Sequence, residues 1–358
     1  MVVRFGAAAA ALCILLTGCA RKHRDGVHLH LDETYPQKLS EWGLFTGNGP
    51  NLKPNDRVIP YDVNTPLFVD YASKLRTVWI PPGQRARYRP VGAFEFPVGT
   101  IFSKTFYYTW PDGRERLIET RLLVHMSNGW VGLPYVWNDE QTDAILEIAA
   151  EPLPMRWTNK AGRTFQFDYV VPNVNQCRVC HDSPDGAAPL GPTARNLNRE
   201  FSYSGGAENQ LVHWAKVGYL QGAPAPDHAP RLPVWDDART GTLAERARAY
   251  LEVNCAGCHS EHGRGAKSGL LLTAVETNPA KLGVCKAPME PARAGGARFD
   301  IVPGRPQDSA LVLRMESTDP ESRMPDLGRS LAHEEAVRLI SQWIREMAGN
   351  CRQEPVDH

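Results

Sequence analysis

The sequence predicts an α+β protein, in which an antiparallel β-rich domain precedes a mostly α-helical region. Between Trp42 and about residue 150, short β-branched and aromatic runs end at Pro, Gly, Asp or Asn, as is typical of strands joined by turns. After about residue 152 this pattern stops, and a few segments carry apolar residues at helical spacing. We therefore expect the strands in residues 37–151 and the helices after them.

The strand pattern is clearest in three runs, Thr77–Ile80, Thr105–Trp110 and Leu117–Val124. The first is followed by Pro-Pro-Gly and the second by Pro-Asp-Gly, which are turn sequences. No Cys lies in this domain. Its aromatic residues either fill the core or line a sugar-binding platform; those in question are Trp79, Trp110, Trp130 and Trp137. Its charged residues Lys104, Glu119 and Arg121 form either a structural ion-pair cluster or a binding face.

Three segments in the second half predict helices. Asn209–Leu220 has helical spacing and reaches Gly218, which favours a helix end. Thr242 and Glu245 have the spacing of a capping box, which predicts a helix to about residue 253. Glu334–Met347 places its apolar residues on one face. A Pro-rich linker at residues 222–233 separates the first of these helices from the second.

The composition is that of an ordinary globular chain. Of its 358 residues, 42% are hydrophobic and 22% are charged, which excludes a disordered protein and leaves room for two or three domains. The 40 Lys and Arg residues balance 40 Asp and Glu residues, so the basic surplus usual in nucleic-acid-binding proteins is absent. We therefore expect no nucleic-acid partner.

The N-terminus predicts export. One early charge, Arg4, precedes an apolar run, Phe5–Leu16, that is shorter than the about 20 residues needed to span a membrane. The run ends in Leu-Thr-Gly-Cys19, which resembles the lipobox of bacterial lipoproteins, where cleavage precedes a lipidated Cys. The alternative is an ordinary secretory signal with an incidental Cys.

The lipobox implies a signal peptide at residues 1–18, lipidation of Cys19 and a polar tether at residues 19–36. Several acyl chains on Cys19 would anchor the chain firmly in a membrane. Because Ala20 follows Cys19 instead of Asp, an outer-membrane anchor is favoured, with the mature chain facing the periplasm or the cell surface. In such an oxidising compartment, the two unassigned cysteines Cys285 and Cys351 most simply form a disulfide.

Two segments read Cys-x-x-Cys-His, at residues 177–181 and 255–259. Two thiols at this spacing form thioethers with the vinyl groups of one haem, and the following His ligates the iron. The sequence therefore predicts two covalently bound haem c groups. Their attachment residues and iron ligands are Cys177, Cys180 and His181 for haem 1, and Cys255, Cys258 and His259 for haem 2. A redox dithiol and a zinc site that pairs the two motifs are the alternatives.

The surroundings of the second motif resemble a class I cytochrome c domain. A capped helix leads into Cys255, an amphipathic helix closes the region, and Arg323-Met324-Pro325 lies between them. The resemblance covers about residues 236–352, and it implies that Met324 is the sixth ligand of haem 2. A lone Met is otherwise most often a core residue. Met289 and Met315 are weaker candidates because neither lies in such a loop.

The sixth ligand of haem 1 is less clear from the sequence. His213, in the helix expected at residues 209–220, is the nearest candidate, and it is otherwise a surface residue. Met155, His125 and Met126 lie upstream and are further candidates if the β domain packs there. An open, five-coordinate haem 1 is the remaining alternative.

The whole chain, from about Trp42 to Cys351, resembles an uncharacterised family of bacterial exported dihaem c-type cytochromes, commonly lipoproteins. The resemblance depends on several segments, among them Pro60–Phe68, Phe96–Thr100, Ile118–Leu122, Tyr135–Asn138, Val171–Gln176 and Asn196–Asn198. It implies two haems and electron transfer, with no established substrate. The full division is a β-rich domain (37–151), a first haem c region with the linker (152–234), a class I-like cytochrome c domain (235–352) and a tail (353–358).

Three functions follow as hypotheses. The favoured one is an electron carrier with an unidentified redox protein as its partner and a membrane anchor at Cys19, without catalytic residues. The runner-up is a peroxidase-like dihaem enzyme in which haem 1 is open and catalytic. The third makes the β domain a binding module attached to an electron-transfer unit.

Overall fold

The computed structural model describes residues 26–32, 34–149, 152–183, 186–187 and 189–351. The expected signal peptide at residues 1–18, the lipidated Cys19 and the tail at residues 353–358 lie outside the described residues. Within the described part of the chain, no helix is long and apolar enough to cross a membrane.

Strands and helices both occur, as the predicted α+β class requires. The expected segregation is wrong, however, because seven of the strands described here follow residue 151, where mostly helices were predicted. The strands are β1 (Phe45–Thr46), β2 (Lys53–Pro54), β3 (Ile59–Tyr61), β4 (Ser73–Trp79), β5 (Ala86–Arg87), β6 (Ile101–Thr109), β7 (Glu115–Met126), β8 (Gly129–Trp137), β9 (Ala144–Leu146), β10 (Pro152–Thr158), β11 (Thr164–Val170), β12 (Asp182–Ser183), β13 (Gly186–Ala187), β14 (Glu200–Tyr203), β15 (Gly206–Asn209) and β16 (Leu220–Gln221). The helices are α1 (Val174–His181), α2 (Ala194–Leu197), α3 (Gln210–Lys216), α4 (Leu243–Asn254), α5 (Ala310–Glu316) and α6 (Glu334–Glu346).

The main sheet has six antiparallel strands in the order β3-β4-β6-β7-β8-β9. Side chains alternate between its two faces because successive residues of a strand point in opposite directions. One face packs on the Trp42 cluster, a hydrophobic core that includes Leu122 and Tyr135. The other face meets two further hydrophobic clusters.

These two clusters tie the sheet to the residues that follow it. The Phe102 cluster joins Val78 and Phe102 of the sheet to Leu211 and Trp214 of α3. The Phe106 cluster joins Phe106 to the β10–β11 hairpin. Both clusters therefore contain residues from either side of residue 151. The four tryptophans that the sequence offered as a sugar platform pack into or against these cores, with Trp79 and Trp137 in the Trp42 cluster, Trp130 against the Phe102 cluster and Trp110 against the Phe106 cluster.

The C-terminal region has a core of its own, the Trp235 cluster, in which α4, α5 and α6 meet. The predicted capping box of α4 is confirmed, since the Thr242 backbone N–H donates to Glu245 Oε2 at 2.8 Å and the Glu245 N–H donates to Thr242 Oγ1 at 3.3 Å. Helix α6 occupies the segment predicted for it. Cys285 and Cys351 are joined as a disulfide, which is the pair that the sequence suggested.

The prediction of a helix near residue 209 is confirmed with a shorter length. Helix α3 begins after Asn209, whose side chain accepts a hydrogen bond from the Leu211 N–H at 3.0 Å. The helix ends at Lys216, and Gly218, which the sequence predicts as the helix end, adopts a left-handed conformation with φ of 81°.

Candidate functional site

One continuous cavity of about 300 Å³ lies between the main sheet, α1 and the C-terminal region. Cys177 and His181 of the first Cys-x-x-Cys-His segment line it, and so do Cys255 and Cys258 of the second. Met324 lines the same cavity. The fold therefore brings three segments that are far apart in the sequence to a single internal space.

Helix α1 presents the first motif to this cavity. The Asn173 side chain accepts from the Gln176 N–H at 2.9 Å, and the Gln176 side chain accepts from the Asn173 N–H at 3.0 Å, which begins the helix with a reciprocal cap. Cys177 and His181 are four residues apart, so they lie on the same side of the helix. That side is the one that lines the cavity.

Gly132 of β8 allows α1 to lie close to the sheet. A Cβ atom at residue 132 would stand 2.9 Å from the Cβ of Cys177 and 3.3 Å from its Sγ. Real Cβ contacts are not that short, so any side chain at this position would push the helix away. The absence of a side chain at Gly132 thus sets the position of the first motif over the sheet.

The second motif continues directly from α4. The Cys258 and His259 N–H groups donate to the Cys255 carbonyl at 3.1 and 2.8 Å, which wraps the motif into one further turn. Asn254 anchors this turn to the β-rich part, because its Oδ1 accepts from the Phe68 N–H at 2.8 Å. The motif is therefore held from both halves of the molecule.

The hydrogen bonds around His259 define its tautomer. The Ser268 hydroxyl donates its single proton to the Gly265 carbonyl at 2.6 Å. Its contact with His259 Nδ1, at 3.1 Å, must then have the imidazole as donor. This leaves Nε2 without a proton, as an iron ligand requires. Burial, together with the positive charge of Arg314, also lowers the pKa of His259 to about 4, so the ring is neutral.

Two of the motif cysteines, Cys177 and Cys255, lie in surroundings that disfavour the thiolate. Burial raises the pKa of Cys255 to about 12 and also raises the pKa of Cys177. No group of three or more His, Cys, Asp or Glu side chains is arranged as a metal site among the described residues.

Met324 is held in the cavity wall by its backbone. Its N–H donates to the Arg314 carbonyl at 2.8 Å, and its carbonyl accepts from Arg329 Nη2 at 2.8 Å. Of the two other methionines considered for haem 2, Met315 is buried and lines the cavity, whereas Met289 is 61% exposed and lies outside its lining.

His213 is not brought to the cavity, in contrast to the suggestion from the sequence. Its ring stacks on Tyr203 at 3.4 Å, and its Nδ1 lies 2.7 Å from Glu208 Oε2. The physical reason is that α3 packs through Leu211 and Trp214, so His213 faces away from that core. Of the upstream candidates, Met126 and Met155 are core residues. His125 stacks on Trp130, and none of these three lines the cavity.

The cavity has two sets of lining residues that the sequence did not assign to it. His333, just before α6, stacks on Phe68 at 4.1 Å and lies 3.1 Å from the Tyr250 hydroxyl through Nδ1. Arg76, Lys104 and Arg121 form its floor on the sheet. The sequence pattern showed Lys104 and Arg121 as charged positions in strands, but only strand register places them with Arg76.

The loop before β4 holds the β-rich part and the C-terminal region together around the cavity. Asp70 accepts hydrogen bonds from the Ser330 and Leu331 N–H groups, at 2.8 and 2.7 Å to Oδ1. Burial raises the pKa of Asp70 to about 6 even though these bonds favour the charged form. Since Ser330 follows the Met324 loop by a few residues, this contact sets how that loop faces the sheet.

Neither family models, nor curated proteins, nor solved structures match this chain.

Proposed function

We propose that the protein is an exported dihaem c-type cytochrome that carries electrons. The observation that supports this most directly is that both Cys-x-x-Cys-His segments and Met324 line one cavity. The resemblance of residues 236–352 to a class I cytochrome c domain points to the same function.

The residues present fit haem c. At the second motif, the thiols of Cys255 and Cys258, a neutral His259 with an unprotonated Nε2, and the thioether of Met324 would be the donor set of such a group. Haem supplies a reversible one-electron iron couple when it is bound. The protein's own contribution is to hold the thiols, to orient His259 through Ser268, and to enclose the site between the sheet and α6.

The lipobox extends this proposal to location. Anchored through Cys19, the protein would face the periplasm or the cell surface, with the outer membrane favoured by Ala20. A redox protein of the same compartment would then be its partner. Cys19 lies outside the described residues, which begin at residue 26, so this part of the proposal depends on the sequence alone.

Haem content tests the proposal. We expect the purified protein to carry two haems per chain, measured by intact mass and by the pyridine haemochrome spectrum. Cys177→Ser and Cys255→Ser should each impair covalent attachment at one motif and leave the other haem in place. A wild-type protein matured in a host that attaches haem c, but with no covalent haem, would contradict the proposed function.

A dihaem enzyme is a second candidate because none of the sixth ligands suggested for haem 1 lines the cavity. The charged residues that the sheet contributes to the cavity lining are the cations Arg76, Lys104 and Arg121. An optical spectrum of the reduced protein with carbon monoxide separates the two functions. An unchanged spectrum supports the carrier, whereas an adduct at one haem supports an open site and directs attention to peroxide turnover.

A further inference from the structure

Three cations form a straight row across the middle of the sheet. Arg76 of β4 lies opposite Lys104 of β6, which lies opposite Arg121 of β7. All three line the cavity, and the next position along the row is Pro134 of β8. Like charges directly opposite each other destabilise a sheet unless neighbouring anions compensate them.

The row lies in an otherwise apolar setting. On β6, Phe102 belongs to the Phe102 cluster and Phe106 to the Phe106 cluster, and Lys104 stands between them on the same face. The Arg76 side chain is 7% exposed and the Arg121 side chain is 19% exposed. Hydrophobic residues at these positions would join the two clusters into one core, so stability does not explain the charges.

Two acids partly balance the row. Arg121 makes two hydrogen bonds with Glu119, at 2.8 and 2.5 Å, and Glu119 also accepts from the Tyr169 hydroxyl. Arg76 pairs with Asp62 at 2.7 Å, but Asp62 is shared with Arg199, 3.2 Å away. The electrostatic field of the row reaches Lys74, because burial and then the charges of Arg76, Lys104 and Arg121 lower the pKa of Lys74 well below the ordinary value.

The row is adjacent to the first attachment site. Cys177 packs on Gly132, and Gly132 is two residues from Pro134 on the same face of β8. The charges of Arg121, Glu119 and Lys104 all act on the Cys177 thiol. Any group bound covalently at Cys177 thus starts within reach of these cations.

We propose that Arg76, Lys104 and Arg121 bind the carboxylate groups of the haem attached at Cys177 and Cys180. This inference rests on the proposed function. Haem carries two propionate carboxylates, and a buried carboxylate must be paired with cations or hydrogen-bond donors to stay ionised. The row supplies such cations at the edge of the first motif, and the same chemistry would suit a free oxyanion such as phosphate.

The test uses Lys104→Met in the haem-loaded protein and measures both midpoint potentials from about pH 5 to 8. In the wild type, the cations keep the carboxylates ionised, so both potentials should be nearly constant. Without Lys104, a carboxylate takes up a proton on reduction, so one potential should fall as the pH rises. Lys104→Arg should restore the wild-type profile. Lys216→Met makes the same change at an exposed residue of α3 and should have no effect.

Arg76→Gln serves as a second variant if Lys104→Met does not fold, because Asp62 retains Arg199. A pH profile identical to wild type in a variant that carries both haems would overturn the inference. So would a wild-type spectrum or potential that responds to added phosphate and loses this response in the variant, since the row would then bind a free anion. Fewer than two haems in the wild type would contradict the proposed function instead.

Discussion

The Ser268 hydroxyl determines which ring nitrogen of His259 carries the proton. Because Ser268 donates to Gly265, it acts only as an acceptor for the imidazole, and Nε2 is left free for a metal. The same hydroxyl also accepts from the Leu270 N–H at 3.2 Å, so all its hydrogen-bonding capacity is used. Ser268 is therefore a residue that positions the His259 ring.

Ser268→Ala should raise the midpoint potential of one haem. An imidazole whose Nδ1–H has no acceptor donates less electron density to the iron, and this favours the reduced state. The lost hydrogen bond should also cost about 1 kcal/mol of unfolding free energy. Potentiometry and denaturant unfolding measure the two effects. Ser268→Thr keeps the hydroxyl and serves as the control; an equal shift in both variants would contradict this role.

His333 should make stability depend on pH. Burial lowers the pKa of His333 to about 4, from an ordinary value of 6.5. The unfolded chain therefore takes up this proton at a higher pH than the folded chain does. The contribution of neutral His333 to the free energy of unfolding is therefore complete above about pH 6.5. It decreases by about 3 kcal/mol as the pH falls to 4.

Denaturant unfolding of the wild type and His333→Phe across this range measures the contribution. The Phe variant keeps the stacking on Phe68 and should lose less stability on acidification. His228→Gln, at an exposed residue, is the matched control and should follow the wild type. Parallel curves for all three proteins would show that His333 does not titrate in this way.

At the scale of elements, the contact between α1 and β8 decides where the first motif lies. The helix carries Cys177 on the face that touches Gly132, and the strand offers no side chain there. The sheet thus sets the position of α1. As a result, Arg76, Lys104 and Arg121 lie next to the first motif.

Gly132→Ala should reduce haem attachment at the first motif several-fold while leaving the second motif unaffected. The new Cβ would meet the Cys177 side chain at 2.9 Å and displace α1. Intact mass and peptide mapping measure attachment at each motif. Gly205→Ala makes the same change where no atom lies within 4 Å, and it should attach both haems. Full haem attachment at the first motif in Gly132→Ala would show that Gly132 does not set the position of α1.

The loop that carries Met324 is the second element on which the site depends. Met324→Ala should lower one midpoint potential by roughly 0.1 V, within the about 0.8 V that axial ligands span in haem proteins, because a thioether ligand stabilises ferrous iron. Potentiometric titration measures both haems. Met289→Ala alters an exposed methionine and is the control. Unchanged potentials in Met324→Ala would remove it as a ligand.

At the scale of the molecule, the cavity forms only when the β-rich part and the C-terminal region pack against each other. Asp70 holds the segment after the Met324 loop, and Asn254 is held by the Phe68 backbone just before the second motif. The ion pair between Arg195 and Glu252, at 2.9 Å, links the halves on another side. These contacts join residues more than 50 positions apart in the sequence.

Asp70→Ala should weaken this docking by about 2 to 4 kcal/mol, because it leaves two backbone N–H groups without their acceptor. Thermal unfolding should show a lower transition temperature, and limited proteolysis should cut faster in residues 236–241, the segment before α4. Glu140→Ala, at an exposed residue, is the control. Unaltered proteolysis in Asp70→Ala would show that docking does not depend on this carboxylate.

The sequence by itself determined whatever depends on neighbouring residues: the strand-rich first part, the cap of α4, the span of α6 and the Cys-x-x-Cys-His spacing. These are local because a helix cap or a motif turn is completed within a few residues. Only the tertiary structure decided that both motifs share one cavity, that His213 lies elsewhere, and that Arg76, Lys104 and Arg121 stand in a row. Such placements depend on strand register and on which apolar faces pack together, and both are set by contacts between residues far apart in the chain.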